Sequence, residues 1–122
     1  MTADSGQDIR DRSFRFACRI SKLAPGLTLR PGLRAVADQL LRSGTSIGAN
    51  LEEAKAASSR REFIRYIDIA LREARESTYW LRICLSLNLE PQAEIESLRD
   101  EGDQIARILA AIAIKTKARG LQ

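Results

Sequence analysis

Arginines recur along one stretch of this 122-residue chain at a spacing that suits a polyanion. Arg61, Arg65, Asp68, Arg72, Arg75, Tyr79 and Arg82 follow at intervals of 4, 3, 4, 3, 4 and 3 residues, which places all seven on one strip of a helix. A guanidinium group grips phosphate through a planar fork. Five of them with one phenol ring can track a nucleic-acid backbone while the ring stacks on a base. Arg12, Arg15, Arg19 and Lys22 form a second basic cluster within one quadrant of an earlier helix. The competing reading of the longer strip is a solvated face stitched by pairs such as Asp68 with Arg72 and Arg72 with Glu76.

Other chemistry is poorly supplied. The chain has no histidine, which removes the commonest general base, the commonest zinc ligand and every Ser-His or Cys-His pair. Glu53, Glu73 and Glu76 offer carboxylates, but the Glu-x-x-His pattern of two-metal bundles is missing. The GTSIG segment at 44–48 sits in a helical pattern and lacks phosphate-loop spacing. The expectation is a non-enzymatic protein without metal or cofactor.

The elements that position these residues are helices. The chain is 44% hydrophobic, 30% charged and 5% aromatic, a globular balance for one domain spanning 1–122. The longest apolar run, 108–114, is 7 residues, far short of a membrane span. Cys18 and Cys84 stand alone among apolar neighbours and read as reduced packing residues, and the N-terminus lacks the apolar core of a signal peptide. A cytoplasmic protein is expected. The net charge of +4 hides an uneven distribution, with 16 Arg against 4 Lys and an acidic stretch at 90–103 between basic flanks.

No segment alternates with a period of two. Breaks at Pro25-Gly26, Ser58-Ser59 and 88–91 divide the pattern into an all-α, antiparallel up-down four-helix bundle, with helices at about 8–24, 30–57, 60–87 and 91–118 and frayed ends at 1–7 and 119–122. Thr28 is the expected N-cap of helix 2, with Pro31 in its first turn. Ser59 and Glu62 form a capping box for helix 3, Asn88 a left-handed cap, and Pro91 the first residue of helix 4. The core stripes are Phe16, Ile20 and Leu23, then Leu33 to Ala54, then Phe63 to Leu85, then Ile95 to Ile112 at helical spacing. Gly102 interrupts the last stripe, as a close helix approach or a local break.

Two further features stand out. Gly44 and Gly48 sit one turn apart on the core face, where small residues admit a neighbouring helix, and Ser43, Ser46, Asn50 and Glu53 run alongside. With Glu73 and Glu76 from helix 3, these are the expected buried polar network that sets helix register. Phe14 and Cys18 on helix 1, with Tyr66, Ile69 and Trp80 on helix 3, are more apolar and aromatic surface than one core uses. They are the expected interface of a homo-oligomer.

The segment RSGTSIGANLEEA (42–54) followed by REFIRYIDIALREARESTYWLR (61–82) resembles the 23S rRNA-intervening-sequence family, over about 14–112 and most strongly over 40–85. The resemblance implies a bacterial, cytoplasmic four-helix bundle assembling as a homopentameric ring, with no established catalytic activity. The chain is distantly similar to the accessory variability proteins of diversity-generating retroelements, basic pentamers that bind nucleic acid and a reverse transcriptase and share the segment near Tyr79 to Arg82. The expected partners are therefore further copies of the chain, RNA or DNA, and a neighbouring-gene protein. The alternative is a scaffold that binds protein alone.

Overall fold

The computed structural model describes residues 5–120, and these form four helices, α1 (Ser5–Thr28), α2 (Arg34–Lys55), α3 (Arg60–Ser86) and α4 (Gln92–Gly120). α1 and α4 reach into the ends expected to fray; residues 1–4 and 121–122 lie outside the described residues. Short loops make the helices antiparallel neighbours in an up-down bundle. α2 packs on α1 and α3, α4 packs on α3 and more sparsely on α1, and α1 and α3 are diagonal.

The core forms where the four apolar stripes meet. Phe16, Ile20, Leu27, Leu40, Ile47, Leu81, Ile95, Leu98, Ile105 and Leu109 are essentially sealed from solvent, and each large aliphatic side chain so buried stabilises the fold by roughly 1.5–3 kcal/mol. Leu33, Val36, Phe63, Leu85 and Ile112 pack at the edge of this core rather than inside it.

Helix ends depart from the sequence expectation in instructive ways. α1 does not stop at Ala24 but continues through Pro25 and Gly26 to Thr28. Proline in a helix removes one backbone hydrogen bond; the extra turn buries Leu27 completely, which offsets that loss. Thr28 consequently caps nothing: it ends α1, and its Oγ1 donates to the Ala24 carbonyl at 3.1 Å. The chain then turns through Pro31 and Gly32, the glycine at φ +81°, so α2 begins at Arg34 with Leu33 as an N-cap that makes no side-chain bond. At α3, Ser59 Oγ accepts from Glu62 N at 3.1 Å, as the capping box requires, while Glu62 Oε1 accepts from Ser58 N, one residue earlier than the standard box. Asn88 adopts φ 56° and Leu89 N donates to Cys84 O at 3.1 Å, closing α3 with the expected left-handed cap. Pro91 stands just before α4, its carbonyl accepting from Ile95 N.

The glycines set the helix spacing. A Cβ on Gly44 would lie 3.0 Å from Ile20 side-chain atoms, and one on Gly48 3.6 Å from the Ser13 backbone. Both therefore face α1 and let α1 and α2 approach closely. Gly102 is no break: α4 runs unbroken past it, and a Cβ there would lie 2.7 Å from Thr78 Cγ2.

The close α1–α2 contact leaves one cost visible. The Ser13 hydroxyl is completely buried and has no hydrogen-bond partner among the described residues. An unsatisfied buried hydroxyl costs about 1–3 kcal/mol. Ser13→Ala is expected to raise the thermal unfolding midpoint. A midpoint equal to or below that of the parent would show that the hydroxyl contributes a bond after all.

Candidate nucleic-acid interface

α3 carries its arginines on a strip about 32 Å long between Arg61 and Arg82, at 1.5 Å rise per residue. Arg61, Arg65, Arg72, Arg75 and Arg82 are all exposed, and none makes an ion pair or side-chain hydrogen bond among the described residues. The pairs expected within the helix do not form, because neighbouring helices take the acids. Asp68 receives Lys117 of α4 at 3.1 Å. Glu73 accepts from Arg42 Nη1 at 2.9 Å. Glu76 accepts from Arg42 Nη2 and from Trp80 Nε1, the latter at 3.1 Å. Burial pushes the Glu76 carboxyl up, but the bonds from Trp80 and Arg42 outweigh it and hold the group below the ordinary carboxylate range. Arg42 of α2 and Lys117 of α4 thus pair with Asp68, Glu73 and Glu76 of α3, and among the described residues these five arginines are left without ion pairs. Sequence reasoning passed over Arg42, although its position three residues after Gln39 and beside the small-residue stretch is on the α3 side.

α4 widens the strip. Exposed Arg107 lines a shallow depression with Arg75 and Asp103, and Arg99, paired with Asp100 and Asp103, lines another with Tyr79 and Arg82. Neither was singled out in the sequence, because both lie in or beside the acidic stretch.

The α1 cluster has a different fate. Arg12 donates to both Glu101 oxygens at 3.0 and 2.8 Å and to Gln104 Oε1 at 2.8 Å. Arg19 repeats the arrangement one heptad later, on Glu94 at 3.0 and 2.9 Å and on Ser97 Oγ at 2.8 Å. The bonds from Arg19 hold the Glu94 carboxyl below its usual range. These forks bridge the α1–α4 seam and engage Nε and Nη2 of each guanidinium group, so Arg12 and Arg19 act as structural ties between the two helices. Arg15 and Lys22 remain exposed, but α1 lies diagonally across the bundle from α3. The readable signal was the matching interval of seven between 12 and 19 and between 94 and 101.

The expected polar network is only partly buried. Its interior member is Ser43, which accepts from Ser77 Oγ at 3.0 Å, both residues fully enclosed. Ser46 donates to the Arg42 carbonyl and Asn50 to the Ser46 carbonyl, so each is satisfied on its own helix. Glu53 is exposed and joins no such network among the described residues. Nor do the five expected interface residues form one patch. Phe14, 69% exposed, and Cys18 face outward on α1. Tyr66, Ile69 and Trp80 are half-buried on diagonal α3, with Tyr66 and Trp80 packed on the core. Of the two thiols only Cys84 is a packing residue, and burial pushes its pKa up. No described helix is long and apolar enough to cross a membrane.

The fold has a counterpart among known proteins. The profile of the family described as 23S rRNA-intervening sequence protein matches residues 6–111. The chain belongs to that family. A solved structure from Bacteroides thetaiotaomicron, described as a protein of unknown function from the S23 ribosomal protein family, shares 36% identity. It superposes with a TM-score of 0.83 over 90% of this chain and 98% of its own. Comparison with curated proteins found no match. Membership in the 23S rRNA-intervening sequence family therefore comes with a conserved bundle and without an assigned activity.

Proposed function

We propose that this chain is a non-enzymatic, cytoplasmic RNA-binding bundle that works as a homo-oligomeric ring. One observation carries the reading: among the described residues, five exposed arginines on α3 lack acidic partners, because α2 and α4 supply cations to Asp68, Glu73 and Glu76 beside them. Free guanidinium groups along 32 Å of a straight helix suit a phosphate backbone. Repeating the strip around a ring multiplies a field that is modest at a net charge of +4 per chain.

The test combines mass and salt. Light scattering should give a mass several-fold above the 13.6 kDa of one chain. RNA affinity should fall linearly on logarithmic axes as salt rises, with a slope of about −3 to −4 for five phosphate contacts on a single strand. A 13.6 kDa particle would remove the ring. Absence of RNA binding at low salt would remove the RNA reading and favour a scaffold that binds protein alone.

A further inference from the structure

Where the last turns of α3 meet α4, an open depression of about 400 Å³ is lined by Tyr79, Arg82, Ile83, Leu85, Ser86 and Arg99. Here an aromatic ring stands beside two guanidinium groups. Tyr79 is 53% exposed, and its hydroxyl makes no hydrogen bond among the described residues. The core does not need this ring, yet the ring is positioned. Trp80 meets it in a T-shaped contact, with centroids 5.3 Å apart and planes at 70°. Trp80 is anchored in turn by its bond to Glu76, which Arg42 of α2 holds. A T-shaped contact orients a ring without stacking on it, so the Tyr79 ring keeps area for another flat group. Ile83 and Leu85 are half-buried and give the depression an apolar side. Arg99 is engaged with Asp100 at 3.2 Å and Asp103 at 3.9 Å, while Arg82 makes no ion pair among the described residues.

We propose that this depression is a nucleotide subsite that takes an unpaired base, stacked on Tyr79 against the Ile83–Leu85 side, with the adjoining phosphate on Arg82. The assignment rests on the RNA-binding reading of α3 and sharpens it: the ligand is single-stranded RNA. Bases inside a duplex are stacked on one another and offer no free face to a protein ring, whereas splayed single-stranded bases do.

The experiment uses the full chain and three fluorescein-labelled probes: a short oligouridylate, the same strand paired with oligoadenylate, and heparin, a polyanion without bases. The single strand should bind more tightly than the duplex. Tyr79→Ala should weaken single-strand binding by roughly 5- to 150-fold, the range for losing one base–aromatic stack. It should leave heparin binding and helicity unchanged, and Tyr79→Phe should retain single-strand affinity. Equal affinity for single strand and duplex, or parental affinity in Tyr79→Ala, overturns the subsite. If heparin binds while Tyr79→Ala is silent, the subsite alone falls. If the parent chain binds none of the three probes, the RNA-binding reading falls with it.

Discussion

Gly102→Ala is expected to destabilise the bundle by about 1–3 kcal/mol, although alanine is the better helix former by about 1 kcal/mol. The added methyl would stand 2.7 Å from Thr78 Cγ2, a distance that forces something to move. Thr78 is buried, β-branched and tied by its Oγ1 to the Arg75 carbonyl at 2.8 Å, so it has little freedom to turn away. The α3–α4 spacing must yield instead. The decisive comparison is with Thr78→Ser, which removes Cγ2 and keeps the hydroxyl. In that background the clash is gone and only the propensity gain remains, so Gly102→Ala should become stabilising. Thermal midpoints report this change of sign, at roughly 2–8 °C per kcal/mol for a domain of this size. A destabilisation that persists in the Thr78→Ser background would place the cause elsewhere than in this contact.

The second large effect is on binding. Reversing Arg65, Arg72 and Arg75 together to glutamate is expected to reduce RNA affinity at low salt by at least about 100-fold, since three phosphate contacts become three repulsions. All three side chains are exposed and hold no ion pair among the described residues, so helicity and thermal midpoint should stay near those of the parent. Arg15→Glu, on diagonal α1, compared with Arg65→Glu alone, controls for an equal change in net charge and should cost far less. Parental affinity in the triple variant would show that RNA does not use α3.

How far these arguments were available from the sequence depends on the range of the interaction. The Ser59–Glu62 box and the Asn88 cap are local, and both formed as read. The core stripes of α2, α3 and α4 followed from periodicity. Pro25 misled because the burial of Leu27, a tertiary contact, outweighs a local helix breaker. Ser46, Asn50 and Glu53 looked like a network since they share a face, but a helical serine or asparagine can satisfy itself on its own backbone. The forks at Arg12 and Arg19 require the register between two helices far apart in sequence, and a single-helix pattern does not contain it. Phe14 and Trp80 were legible as surplus apolar surface on two helices, but their places on diagonal helices follow only from the order of helices around the bundle.

That order has one more consequence, for how the molecule comes apart. α1 is seated on α2 by two glycines at near-backbone distance and reaches α4 through long side chains forked across a wider gap. A helix gripped so unequally gives the bundle a grain. The side closed by Arg12, Arg19 and the packing of Phe16 beside Gly102 holds α1 more sparsely than the glycine side and is expected to part first. The opening of lowest free energy is therefore a partial one that swings α1 away from α4 and leaves α2, α3 and α4 as the slower cooperative unit.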